Sequence, residues 1–242
     1  MGGRGSSSMS GSGTARGGGL IGGAAAISAK DWDSLIAVAD TNGIPLHESL
    51  KTIPLETAKT ALAGVIDVAE AFPQVNRDLL TLHAEYRNSS AMAWASLRNG
   101  ITVNSKYFAS ADTIESAYAR GVSSGFHPNG QARAITSHEA GHIIEAHLVN
   151  QRYKDGLTYS AIADWNKSRI ASGIINQASK NVKKTSEGKG MKIADQIKQV
   201  SGYATKNRSE ALAECVADYV SNGSSAKPLS REVWGILKQK LG

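Results

Sequence analysis

Apolar positions recur at helical spacing over most of this 242-residue chain, and one alternating stretch interrupts them. Asp31 to Ala39 reads as a short helix closed by Asn42-Gly43. From Glu56 to Ala71, the residues Ala58, Ala61, Val65, Val68 and Ala69 keep one apolar stripe. That stripe predicts an amphipathic helix, which Phe72-Pro73 ends. The two helices form an N-terminal brace over residues 27–74. Beyond it the period changes to two: Leu80, Leu82 and Ala84 alternate with Thr81, His83 and Glu85. Met92 to Arg98 and Ile101 to Phe108 flank Asn99-Gly100. Asn-Gly between two such runs is the strongest short hairpin signal, because both residues tolerate positive φ in a type I′ turn. A small, mostly antiparallel sheet of about three strands is therefore expected, with His83 on its surface.

Helical spacing then returns. Ala111 to Gly121 predicts a helix, and Gly125-Phe126-His127-Pro128-Asn129-Gly130 a cluster of turns. A helix follows from about Gln131 to Asn150, capped by Asn129 and anchored by Ile135, Ile143 and Leu148. A long helix is expected over Thr158 to Ala178, then a basic loop over Lys180 to Gly190 and a short helix over Met191 to Val200. Ser209 to Val220 predicts a helix with one acidic face. Ser230 to Leu241 closes the chain, with Ser230 as its cap and Leu229 against Trp234 as a hydrophobic staple. The fold class is α+β, a small sheet followed by a helical C-terminal half. No internal repeat is present.

Composition changes this picture at three places. Residues 1–26 are rich in glycine and serine, can bury almost nothing, and are expected to be a disordered tail. Glycine interrupts the apolar stretch Leu20 to Ile27, so it does not read as a signal peptide. No run approaches the roughly 18 consecutive apolar residues of a membrane helix, so the expected location is the cytoplasm and no membrane partner is predicted. Cys215 is the one cysteine. It cannot form an internal disulfide, and it reads as a small buried hydrophobe on a helix. Charge is uneven. Lys180, Lys183, Lys184, Lys189, Lys192, Lys198, Lys206 and Arg208 face only Glu187 and Asp195 within one segment, which accounts for the whole formal charge of +6. Such a segment attracts acidic protein, nucleic acid or phosphate, or is simply a solvated loop.

Candidate chemistry lies in His138-Glu139-Ala140-Gly141-His142, an H-E-x-x-H sequence. Residues four apart on a helix turn through about 400° and so share one face. Two imidazoles placed that way can point at one metal ion, about 2.0–2.1 Å from each ring nitrogen. Glu139 lies beside the same ion and can act as a base on a water there. A catalytic zinc takes three protein ligands. His147 is a poor third, because five residues of helix turn it about 140° away from His142, and no glycine between them bends the chain. A later helix offers carboxylates instead: Glu210, Glu214 and Asp218 at spacing i, i+4, i+8 share a face, while Ala211, Leu212, Val216 and Val220 must pack inward.

The pair H-E-A-G-H plus Y-A-x-x-N-x-x-E-A-L-A-E resembles the gluzincin zinc metallopeptidases of the lethal-factor type, and the zincin-like domains of phage minor head proteins. The resemblance covers roughly residues 75–220, with 75–242 as the corresponding metallopeptidase domain, and Gly125 to Gly130 is similar to the lead-in of such phage domains. It implies one catalytic Zn2+ held by His138, His142 and Glu210. It implies Glu139 as general base, Tyr203 as a donor to the oxyanion, and Glu214 orienting a ligand from behind. Glu214 and Asp218 also satisfy the E-x-x-x-D spacing of thermolysin-like enzymes, with Glu214 then the ligand; the position of Tyr203 favours Glu210. The function implied is a phage- or prophage-encoded zinc endopeptidase acting in the bacterial host cell or associated with the virion. Its partners would be a peptide or protein substrate, acidic if the basic segment rims the cleft, and phage head proteins. A peptide would lie as an added strand on an edge of the small sheet. Two competing readings stand beside it: an inert zincin-like structural module of a phage particle, and a nucleic-acid-binding protein using residues 180–208.

Overall fold

The computed structural model describes residues 23–154 and 158–242. Among them are ten α-helices and a three-stranded sheet. In chain order these are α1 (Ala24–Ile27), α2 (Trp32–Thr41), α3 (Leu55–Ala71), β1 (Leu82–Glu85), β2 (Ala93–Ser96), β3 (Gly100–Asn104), α4 (Ala111–Ser123), α5 (Ala134–Arg152), α6 (Tyr159–Asn166), α7 (Arg169–Val182), α8 (Ile193–Val200), α9 (Arg208–Asn222) and α10 (Pro228–Leu241). The α+β class expected from the pattern is what the chain adopts. No helix among the described residues is long and apolar enough to cross a membrane.

Local chemistry explains most of the element ends. Asp31 and Ser34 exchange side-chain and backbone hydrogen bonds as a capping box at the start of α2. Ser110 caps α4 and Asn207 caps α9, each accepting a backbone N–H three residues on. Helix α3 departs from the amphipathic expectation. It is buried almost all round, Thr57 and Asp67 included, because α1, α5 and the loop before α4 cover the face that the periodicity left for solvent. The expected disordered tail also ends early. The Gly23 N–H donates to buried Asp67 at 2.5 Å and α1 begins at Ala24, whereas residues 1–22 of that tail lie outside the described residues.

The sheet corrects the expectation of a mostly antiparallel one. Its order is β1-β3-β2, with β1 parallel to β3 and β2 antiparallel to β3. The buried Asn104 side chain decides this. Its Nδ2 donates to Arg87 O at 2.9 Å and Ala91 O at 2.8 Å, and its Oδ1 accepts the Arg87 N–H. That knot carries the chain across β3 before β2 begins, so β2 becomes an outer strand. The expected β2–β3 hairpin is present, with a different turn: Leu97–Asn99 form a three-residue loop and only Gly100 has positive φ, +72°.

Three helix expectations are also corrected. Helix α5 starts at Ala134 rather than 131, and Asn129 is not its cap. The long helix over 158–178 is broken between α6 and α7, where Ser168 turns into the left-handed region with φ 49°. Helix α10 begins at Pro228, whose fixed φ suits a first helical position, so Ser230 is buried within the helix instead of capping it.

Close approach of helices sets the core. A Cβ on Gly64 would meet Arg133 O at 2.1 Å, and one on Gly141 would meet Ala213 Cα at 2.8 Å. Helix α5 therefore lies pressed between α3 and α9, and Ser137 Oγ donates to Gly64 O at 3.0 Å across the first contact. Cys215 is buried in α9, as expected.

Candidate metal centre

The Gly141–Ala213 contact brings the α5 histidines under the first turn of α9. There His138 Nε2 lies 3.1 Å and His142 Nε2 3.2 Å from one atom, Glu210 Oε2. The three donor atoms all lie within 4.8 Å of one another. Ligands at about 2.0–2.1 Å from a tetrahedral zinc stand roughly 3.3 Å apart, so the two N···O separations match edges of such a site.

What lies behind each ring determines what its Nε2 presents. His138 Nδ1 is 2.7 Å from Glu214 Oε1, off the line of a regular hydrogen bond but at ion-pair distance. Ser201 donates to the other Glu214 oxygen at 2.7 Å. His142 Nδ1 is 3.0 Å from Ser209 Oγ, and Ser209 donates its own proton to Glu145 Oε2 at 2.5 Å. A carboxylate only accepts, and a hydroxyl has one proton to give. Each Nδ1 therefore faces an acceptor, and both Nε2 atoms face Glu210 Oε2. Two imidazole nitrogens and a carboxylate meeting at one point can share a proton or could hold a metal ion. The donor set of two imidazoles and one carboxylate suits a divalent ion of the zinc type, and the residues present fit such an ion.

The charges respond accordingly. For Glu210, burial works against the carboxylate, but His138 and His142 outweigh it and hold the group well below the usual range. Burial likewise opposes ionisation of Glu214, yet His127, His138 and Ser201 bring it down to about 2. In the absence of a metal ion, His138 retains a proton instead: burial disfavours its charge, and Glu210 and Glu214 more than compensate, raising it to about 10. Glu139 is 7% exposed. Burial pushes its carboxyl up, against the pull of His138 and His142, and the Ala95 backbone of β2 hydrogen-bonds it.

Tyr203 stands where its spacing implied, with its hydroxyl donating to Glu210 Oε1 at 3.2 Å and its ring 5.7 Å from that of His138. Burial and then Glu210 raise its hydroxyl pKa. Lys206 Nζ donates to Tyr203 Oη at 3.2 Å. A cavity of about 320 Å³ opens beside His138, Glu139 and Tyr203, lined among others by Met92, Phe126, Ile135 and Ala217.

No family model matches the chain, and no curated protein or solved structure matches it. Its own geometry is therefore what sorts the candidate residues. His138, His142 and Glu210 converge, Glu139 and Tyr203 flank them, and Glu214 backs His138. Asp218 does not join them: its two oxygens accept Asn222 Nδ2 and the Lys227 N–H, each at 2.8 Å. The alternative register with Glu214 facing the Nε2 atoms is thus not adopted. His147 points elsewhere, with Nδ1 accepting the Asn76 N–H at 3.4 Å. His83 is half-buried, its ring 4.5 Å from that of His47. Of the basic segment, Lys206 is the one residue lining this cavity.

Sequence reasoning missed Ser209, Glu145, Ser201 and His127. Glu145 carried a signal, since it falls three residues after His142 on the same helical face. Ser209 precedes the carboxylate ligand, and its role depends on a partner 64 residues away in the chain.

Proposed function

We propose that this protein is a zinc-dependent endopeptidase of the gluzincin type, with His138, His142 and Glu210 holding the ion. The observation that carries the reading is the convergence of two Nε2 atoms, each ring backed by a partner at Nδ1, upon one carboxylate oxygen. A zinc ion bound there supplies Lewis acidity and draws the pKa of a water toward ~7. Glu139, buried beside both histidines, takes a proton from the attacking water and returns it to the departing amine. Its raised carboxyl suits a group that must accept and release that proton. The Tyr203 hydroxyl turns from Glu210 to donate to the oxyanion forming on the scissile carbonyl. Substrate adds as an extended strand along the open edge of β2, whose backbone already touches Glu139, and one apolar side chain enters the cavity lined by Met92, Phe126 and Ile135. In this reading the enzyme is phage- or prophage-encoded and acts on phage or host protein.

The test is metal content and turnover together. Purified protein should carry about one zinc per chain, lost on combined His138→Ala and His142→Ala substitution, and Glu139→Gln should keep zinc while abolishing cleavage of a peptide library. Zinc retained with no cleavage by the unaltered chain would favour the inert structural module. The exposed lysines 183, 184, 189, 192 and 198 support nucleic-acid binding as the other reading; it requires affinity that falls steeply with salt.

A further inference from the structure

Glu145 is a buried carboxylate that the proposed chemistry does not use. It is fully inaccessible, and its two oxygens have one partner each. Oε2 accepts the Ser209 hydroxyl at 2.5 Å, and Oε1 accepts the Ala171 N–H at 3.0 Å. Ala171 lies in the first turn of α7, where backbone N–H groups lack helical partners. The other face of Ser209 meets His142 Nδ1 at 3.0 Å. The three groups form one directed chain, from the His142 ring through Ser209 to Glu145.

We infer that Glu145 is a positioning residue for the metal centre: through Ser209 it fixes His142 as the Nδ1–H tautomer, with the Nε2 lone pair held toward the ion. The inference rests on the metal-binding reading above. The direction of the chain follows from proton counting. With Glu145 ionised, as its hydrogen bonds from Ser209 and Ala171 favour against burial, it can only accept, so Ser209 donates to it and can then only accept from His142. Oriented neutral imidazoles with a partner on the distal nitrogen bind metal more tightly, and removing such a partner costs about 10- to 100-fold in affinity.

Glu145→Gln reverses this logic within nearly the same volume. If the amide oxygen keeps the Ala171 N–H, the amide NH2 faces Ser209 as a donor. Ser209 then turns its proton to His142 Nδ1, which puts the ring proton on Nε2 and blocks the ligand position. The opposite amide orientation sets NH2 against the Ala171 N–H, two donors face to face.

The experiment is zinc competition against a chromophoric chelator at fixed neutral pH, together with the 15N shifts of His142 in the metal-free full chain. Glu145→Gln should weaken zinc about 10- to 100-fold and move His142 toward the Nε2–H tautomer. Ser209→Ala should weaken zinc similarly, and Ser209→Thr, which keeps the hydroxyl, should restore it. Within the Ser209→Ala background Glu145→Gln should cost no further affinity, since both remove one chain. If Glu145→Gln does not fold, Glu145→Asp, which draws the carboxylate back from Ser209, is read the same way. A residue that merely anchors α7 would lower the melting temperature and leave both affinity and tautomer unchanged; that result, with the unaltered chain binding zinc, overturns this inference alone. An unaltered chain that binds no zinc overturns the metal reading as well.

Discussion

His138 and His142 differ in what stands behind them, and that difference can be measured. His138 leans on a carboxylate that His127, His138 and Ser201 keep ionised against burial, whereas His142 leans on a neutral hydroxyl. An ionised oxygen at ion-pair distance holds a ring proton more strongly than a neutral hydroxyl does. Glu214→Gln is therefore expected to lower zinc affinity more than Ser209→Ala does, by competition against a chelator. Tyr203 makes its present hydrogen bond to Glu210 rather than to substrate, so Tyr203→Phe is expected to lower kcat about 100-fold with KM nearly unchanged. Steady-state kinetics on a cleaved peptide checks this, and a KM effect of equal size would assign the hydroxyl to substrate binding. The resemblance carried by Y-A-x-x-N-x-x-E-A-L-A-E implied both positions, Tyr203 beside Glu210 and Glu214 behind a histidine. The Ser209 partner of His142 Nδ1 was not legible, because Ser209 and His142 belong to different helices and no local pattern pairs them.

Among the elements, α5 depends on glycines. Gly141→Ala inserts a Cβ 2.8 Å from Ala213 Cα, backbone that cannot rotate away. The α5–α9 contact must open, which should cost about 1–3 kcal/mol and also weaken zinc, since Glu210 moves off the histidines. Thermal unfolding and metal titration on the same preparation test both. The α3–α5 contact carries a buried acid instead. Burial raises the Asp67 carboxyl above its ordinary 3.8, against the Gly23 N–H and Arg133. A raised acid costs nothing where it is protonated in both states, below its ordinary value. The cost grows as pH rises through the interval between 3.8 and the raised value, and is complete above it. The stability of the unaltered chain relative to Asp67→Asn should therefore be highest near pH 3.5 and decline with rising pH before levelling. Urea unfolding across that range reads it; a flat difference would mean Asp67 is not perturbed. The break between α6 and α7 belongs to this scale too. Periodicity joined the two helices, but Asp164 holds Tyr153, Arg152 and Arg169 together at the corner, while Glu145 takes the free Ala171 N–H that the break exposes.

For the molecule as a whole, one buried apolar cluster runs from Ala26 to Leu241 and includes α3, β3, α5, α9 and α10. The basic segment lies on its surface. Lys183, Lys184 and Lys189 are exposed, and the cavity beside His138 and Glu139 is lined by Lys206 alone among those basic residues. Replacing Lys183, Lys184 and Lys189 with glutamine should leave kcat/KM for any cleaved peptide unchanged within about twofold at moderate salt, since none of them lines the cavity and salt screens exposed charges. Lys206→Gln should selectively raise KM for acidic peptides. A large effect of the triple substitution would return the whole segment to the cleft.

The amino-acid sequence alone determined what depends on neighbours within a few turns. Residues four apart share a helical face, so His138 and His142 had to point together, and Glu210, Glu214 and Asp218 had to lie along one side of α9. Alternation and Asn99-Gly100 likewise determined that β2 and β3 form a hairpin. Tertiary structure decided everything that joins distant segments: which of the three acids faces the imidazoles, what backs each ring, that β3 is the central strand, and that the 158–178 helix breaks. These depend on close backbone approach at Gly64 and Gly141 and on hydrogen bonds spanning tens of residues, for which spacing along one helix or strand holds no information.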